Sequence, residues 1–141
     1  MSAQLMDGKA LAAQKKAAIR AEVERLARTP GLAVVLVGEN PASQIYVRGK
    51  ARDCEECGIR CMDFCLPAQT TESELLTLIA ELNGRADVDG ILVQLPLPEG
   101  IRERRVLEAI APEKDVDAFH PENVGRLVQG QARYLPCTPA G

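Results

Sequence analysis

Apolar positions along the chain alternate between two periods, and the changes of period mark its elements. Leu32-Ala33-Val34-Val35-Leu36-Val37 is an unbroken aliphatic run of strand length. A strand without polar alternation is buried on both faces, as in a parallel sheet. The run enters a turn over 38–41 and then a polar helical segment over 42–57, which Gly58 closes as a C-cap. Upstream, Asp7 is placed to N-cap a helix reaching Arg28, with Leu11, Ala12, Ile19, Val23 and Leu26 as an apolar stripe opposite Lys, Arg and Glu. Pro30-Gly31 stops it. The segment 59–65 interleaves Arg60 and Asp63 with Ile59, Met62 and Phe64, the pattern of an exposed edge strand. Thr71 and Glu74 form a capping box, and the helix they open sets Leu75, Leu78, Ile79 and Leu82 on one face. A third strand over 88–93 runs into Gln94-Leu95-Pro96-Leu97-Pro98. Two prolines so close together cannot continue a central ladder, so the strand ends near Gln94. A helix over 102–110 packs Val106, Leu107 and Ile110, and beyond Pro112 the periodicity fades with no closing helix.

Strands separated by amphipathic helices predict an α/β fold of βαβαβ units with right-handed crossovers, a mostly parallel sheet and a three-layer sandwich. With the second strand at an edge, the strand order includes 2-1-3 and the chain reverses direction between the first and third strands. Open α/β sheets place ligands outside the carboxyl ends of their strands, at such a reversal. The turn and helix after the first strand line that crevice, and Gln94 arrives there from the third. Ser43, Tyr46 and Lys50, spaced i, i+3, i+7, share a face of the helix. They bring a hydroxyl, a phenol and an amine into line.

Composition narrows the classes. The 141 residues make one ordinary domain, and 46% hydrophobic content suits a globular core. A net charge of -3 and a pI near 5.3 exclude the basic stripe that nucleic acid requires. Arg102, Arg104 and Arg105 flank Glu103 and read as a solvated face. No apolar run approaches the roughly 20 residues of a membrane span, and no signal-peptide block opens the chain, so a cytoplasmic protein is expected. Cys54, Cys57, Cys61 and Cys65 lack the tight knuckles of a zinc site. They read as buried or semi-buried free thiols, Cys137 has no nearby partner, and no metal is expected.

Four groups carry candidate chemistry. A lysine acts as a general acid or base only where burial or a nearby cation brings its pKa down from about 10.4. Lys50 on the crevice-facing row is such a candidate; the plainer alternative is a snorkelling surface lysine. Tyr46 offers a flat, half-polar ring on which a heterocycle could stack, or it packs in the core. Gln94 at a strand end can hold an amide-rich ligand or orient the lysine. Asp115 and Asp117 sit in a loop, where a carboxylate can pair with an amino-pyrimidine edge through two parallel hydrogen bonds or simply form a turn. His120, the only histidine, has no companion in motif spacing and reads as a loop residue. Tyr46-x-x-x-Lys50 also matches the short-chain dehydrogenase signature, but only one strand precedes it and no G-x-G-x-x-G occurs. Glu39 argues against an anion at the helix N-terminus. A non-catalytic α/β nucleotide-binding module is the remaining alternative.

Together the segments resemble the bifunctional methylenetetrahydrofolate dehydrogenase/methenyltetrahydrofolate cyclohydrolase family. The resemblance rests on Val37-Gly38-Glu39-Asn40-Pro41-Ala42-Ser43 with Tyr46-Val47-x-x-Lys50, and on Asp89-Gly90-Ile91-Leu92-Val93-Gln94-Leu95-Pro96-Leu97-Pro98. It continues in Lys114-Asp115-Val116-Asp117 with Phe119-His120-Pro121 and Asn123, and in Pro136-Cys137-Thr138-Pro139-x-Gly141. It implies an enzyme that oxidises 5,10-methylenetetrahydrofolate with NADP (or NAD) and hydrolyses the methenyl cation to 10-formyltetrahydrofolate, in the one-carbon metabolism that serves purine biosynthesis. It assigns Lys50 as the acid/base of the hydrolysis, Tyr46 as the ring stacking on the pterin, Gln94 as support for the lysine and Asp117 as the grip on the amino-pyrimidine edge. Ser43, Leu95 and Pro96 complete the substrate wall. A cationic folate favours a neutral amine beside it.

Two departures follow from the same comparison. The family usually has glycine after the second aspartate, where this chain has Ala118, and a positive φ there would strain alanine. The family also continues with a Rossmann domain, so residues 1–141 are expected to be the folate-binding catalytic domain alone, without a cofactor site or dehydrogenase activity. The intact protein is expected to be a homodimer, with its contacts largely in the second domain and the fragment monomeric.

Overall fold

The computed structural model describes residues 7–137. Thr138, Pro139 and Gly141 of the last motif lie outside them. The elements in order are α1 (Gly8–Val23), β1 (Gly31–Val37), α2 (Pro41–Cys57), β2 (Arg60–Leu66), α3 (Glu72–Gly84), β3 (Gly90–Val93), α4 (Glu103–Ala109) and α5 (Pro121–Val128).

The aliphatic run becomes the central strand. All seven residues of β1 pair in parallel with β2, and Leu32 to Val35 pair in parallel with Gly90 to Val93, giving the order β2-β1-β3. Ala33, Val34 and Val35 are fully buried, as a strand covered on both faces requires. Val34 and Leu36 face Val47 of α2, while Ala33, Val35 and Val37 join Leu75, Ile79, Leu82 and Val106 from α3 and α4 on the other face. Each of the valine, leucine and isoleucine side chains contributes roughly 1.5–3 kcal/mol by leaving water. The three-layer α/β sandwich is therefore the observed architecture, with β2 as the half-exposed edge.

The boundaries of α2 follow from local chemistry. The Asn40 side chain accepts from the amides of Ala42 and Ser43 at 3.0 and 3.2 Å, Pro41 occupies the first turn, and Gly58 closes the helix with φ 76°. The capping box at Thr71 and Glu74 forms as expected.

Three expectations are corrected. Helix α1 ends at Val23 rather than Arg28, because Arg28 turns back to pair with Asp89 beside the sheet. None of its residues is buried; Leu11 and Ile19 stand exposed, as does Leu26 in the turn that follows, so the apolar stripe is not a core face among the described residues. Second, a closing helix exists after Pro112. Helix α5 escapes a periodicity search because it has eight residues and a glycine in its middle, and it is started by the His120 ring and Pro121. Third, only Cys54 and Cys57 are buried and Cys61 half-buried, whereas Cys65 and Cys137 are exposed. All five are free.

Candidate active site

The parallel register carries Gln94 to the carboxyl edge. Its amide N–H donates to the Val35 carbonyl at 2.8 Å, the last rung of the β1–β3 ladder. Its side chain then reaches α2: Lys50 Nζ donates to Gln94 Oε1 at 3.0 Å. Gln94 Nε2 donates to the Leu95 carbonyl at 2.8 Å. Since a carbonyl only accepts, that second bond orients the amide and turns its oxygen toward the lysine. The Leu95–Pro96 peptide is cis, with Leu95 half-buried and Pro96 exposed at the rim.

The helical row spans from interior to solvent. Ser43 is buried with Val47 against the sheet, Lys50 is half-buried, and Tyr46 leaves 66% of its surface exposed. Only an exposed ring can stack on an incoming heterocycle, so Tyr46 suits that work and is not core packing. Ser43, by contrast, is tucked beneath the first turn of α2 rather than presented beside the tyrosine ring.

Asp117 arrives from the loop after α4. Burial pushes its carboxyl above the ordinary range, the Lys50 charge pulls the other way, and the Asp115 charge adds to the rise. Lys50 and Asp117 therefore share one field, although no direct ion pair joins them among the described residues. Lysine and amide, 44 residues apart in the chain, are thus in direct contact, and the half-buried carboxylate of Asp117 feels the lysine's charge. They can exchange a proton at the amine and accept two parallel hydrogen bonds at the carboxylate.

Asp115 is placed differently. It is 2% exposed, and its Oδ2 accepts from the His120 amide at 2.8 Å and from Asn123 Nδ2 at 2.9 Å. His120 itself caps α5, its Nδ1 accepting from the Glu122 amide at 3.1 Å. A loop role for the histidine is thus what the geometry shows. Lys114 donates to the carbonyls of Leu82, Asn83 and Arg85 at 3.2, 2.7 and 2.8 Å, tying the loop to the end of α3. Ala118 is buried with φ 56°, the left-handed conformation that alanine resists. Sequence reasoning passed over Lys114 and Asn123 as functional residues; their only signal was membership of a motif.

No cluster of three His, Cys, Asp or Glu side chains able to hold a metal occurs among the described residues. Burial and the neighbouring Asp63 carboxylate push the Cys61 thiol up to about 12, so it stays protonated. At the start of α2, Asn40 takes the amides that a phosphate would need, and Glu39 adds negative charge. Arg102 and Arg105 are held by Glu72, and Arg104 by Glu108.

Comparison with known proteins bears on the whole of this arrangement. Residues 6–117 match the family described as tetrahydrofolate dehydrogenase/cyclohydrolase, catalytic domain. The chain is 60% identical over 141 residues to the bifunctional protein FolD of Nitratidesulfovibrio vulgaris (strain Miyazaki F), covering 97% of this chain and 49% of that protein. The crystal structure of bifunctional FolD from Campylobacter jejuni superposes with a TM-score of 0.95 at 50% identity, over 97% of this chain and 50% of its own. The Trypanosoma brucei enzyme, complexed with NADP cofactor and inhibitor, gives 0.92 at 35% identity, over 99% and 50%. The chain thus spans about half the length of the curated relatives it matches.

Proposed function

Because the chain belongs to the tetrahydrofolate dehydrogenase/cyclohydrolase catalytic-domain family, we propose that it supplies the folate side of an enzyme that interconverts one-carbon tetrahydrofolates. The observation that carries the reading is the Lys50 Nζ–Gln94 Oε1 bond of 3.0 Å beside the half-buried Asp117. In this reading the pterin's amino-pyrimidine edge meets Asp117, its ring lies on Tyr46, and its one-carbon bridge comes to Lys50. Leu95 and Pro96 form the rim, and Ser43 supports the first turn of α2 beneath it. A positive methenyl group next to Lys50 favours the neutral amine, which takes a proton from the attacking water. Gln94 holds that amine in place through its oxygen. As the ring opens, the hydroxyl proton of the neutral adduct passes to the departing ring nitrogen, giving 10-formyltetrahydrofolate, and the lysine releases the water proton to solvent.

The hydride transfer is a property of the longer protein. The start of α2 does not fit a dinucleotide phosphate, because Asn40 already occupies its amides and Glu39 adds negative charge. On the same reading residues 1–141 are the folate-binding catalytic domain, and the other half of the longer protein holds NADP. That protein is a cytoplasmic homodimer serving one-carbon metabolism and purine biosynthesis. The NADP-bound Trypanosoma brucei relative supports the cofactor.

The test is Lys50→Met in the protein extended to the length of its relatives. General acid–base groups contribute about 10²–10⁴-fold, so cyclohydrolase turnover should fall by at least about a hundredfold with the melting temperature unchanged. Undiminished hydrolysis would remove Lys50 from the reaction. A non-catalytic binding module predicts no turnover in the unsubstituted protein either.

A further inference from the structure

Asp117 has neighbours on both sides that are anchored far more firmly than it is. On one side, Ile91 N–H donates to the Lys114 carbonyl at 2.7 Å, and Asp115 bridges Ile91 in parallel, so the loop begins as a rung beyond β3. On the other, the Asp115 carboxylate receives the His120 amide and Asn123 Nδ2, pinning the start of α5 against the loop. Asn123 Nδ2 also donates to the Pro112 carbonyl at 2.8 Å, so one amide group closes the loop across eleven residues. Asp117 is the residue left over in the middle, and its side chain makes no hydrogen bond or ion pair among the described residues.

The network carries a cost beside its hydrogen bonds. Asp115 is 2% exposed, and the hydrogen bonds to its side chain come from neutral donors, so burying so polar a group has a cost. Asn123 is fully buried, yet its Oδ1 has no hydrogen-bond partner. An apolar pair of similar shape would hold α5 in place without either penalty. What an apolar pair cannot do is fix a backbone direction, whereas a carboxylate accepting from both a main-chain amide and a side chain on the next helix does so.

We infer that Asp115 and Asn123 are positioning residues, which aim Asp117 at the amino-pyrimidine edge of the ligand without touching it. This rests on the Asp117 grip proposed above. Ligand affinity, more than turnover, is what they control. Ligands that lack the amino-pyrimidine edge are indifferent to them.

The test uses two probes on the 141-residue chain: folic acid, which carries that edge, and p-aminobenzoylglutamate, which does not. Binding is followed by amide chemical shifts. Asp117→Ala should weaken folic acid by about tenfold, and Asp115→Ala by a comparable factor. Asp115→Asn, whose amide oxygen can still accept both bonds, should recover affinity to within about threefold. Adding Asp115→Ala to Asp117→Ala should change nothing further, and p-aminobenzoylglutamate should bind all variants alike. If Asp115→Ala fails to fold, Asn123→Ala takes its place, since it removes both donated bonds together with the unpartnered oxygen. Equal losses for both probes would mean general loosening and would overturn the inference. So would a silent Asp115→Ala beside a weakened Asp117→Ala. Silence at Asp117 itself would instead remove the grip and the inference built on it.

Discussion

The two ends of the sheet use the same charged residues to opposite effect. At the amino ends of the strands, cations and carboxylates are matched. Arg28 grips Asp89 through both of its terminal nitrogens, and Asp89 also accepts from the Gly31 amide at 2.8 Å. Arg60 and Arg85 converge on Asp87 at 3.0 and 2.8 Å. The arginines hold both aspartates below the ordinary carboxylate range. In the crevice at the carboxyl ends, the hydrogen bond that Lys50 makes among the described residues is to a neutral amide oxygen, and burial pushes Asp117 up although the Lys50 charge pulls it down. Lys16 and Lys114 sharpen the contrast. Lys16 bridges Asp53 and Glu56 between α1 and α2, and Lys114 satisfies three carbonyls. A charge already matched is structural; one left facing a neutral partner is available for chemistry.

The largest break in the comparison should come at Gly31. A Cβ there would run into the Asp87 carbonyl oxygen and lie 3.0 Å from Met62 Cε, with backbone that cannot step aside. Gly31→Ala is expected to cost about 3 kcal/mol in urea denaturation, by forcing β1 away from the Asp87–Asp89 segment. A loss under half that size would mean the amino end is softer than its contacts suggest.

Lys114→Met comes next. It leaves three carbonyls at the end of α3 without their donor, and should lower unfolding free energy by about 2 kcal/mol. Because Lys114 also begins the loop that carries Asp117, the same variant should shift the Asp117 amide resonance. An unmoved resonance would separate the loop's anchoring from its stability.

A smaller effect of the opposite sign is expected at Ala118. Its left-handed backbone costs roughly 1–2 kcal/mol in alanine, of which glycine's greater unfolded-state freedom returns 0.5–1, so Ala118→Gly should stabilise by about 1 kcal/mol or less. Thermal melting decides it, and a lower melting temperature would show that the methyl packs better than the backbone is strained.

Last is the pH dependence. Asp87 and Asp89 are depressed, so the stability they contribute is present above the ordinary value of 3.8 and is lost as pH falls through their folded-state values. Asp117 is raised, so its contribution is present below 3.8 and is lost as pH rises through its own folded value. Carboxyl-carbon titration by NMR should therefore place Asp117 above 3.8 and the other two below it. Coincident midpoints would erase the difference between the two ends.

Much of the fold was legible because its signals are local. The aliphatic run at 32–37, the Asn40–Pro41 start and Gly58 end of α2, and the Thr71–Glu74 box each act within a few residues, and each appears where its chemistry demands. Leu11, Ile19 and Leu26 misled for the same reason: a period shows which residues share a face, not whether another element covers it. Motif positions at strand ends and a family resemblance singled out Lys50, Gln94 and Asp117 as candidates, but only the fold shows which of them touch. The division of labour between two aspartates two residues apart was not foreseen.

The sequence by itself determined the strand and helix types, their order, the central place of β1 and the family to which the chain belongs, because periodicity, capping and motif blocks are written in neighbouring residues. Tertiary structure alone decided that Lys50 meets Gln94 across 44 residues, that Asp115 turns inward to Asn123 while Asp117 makes no such bond among the described residues, and that none of those residues covers the apolar stripe of α1. Those outcomes depend on the parallel register of β1 with β3 and on the path of one loop. Register and path are set by packing across the whole sheet, which no short stretch of chain encodes.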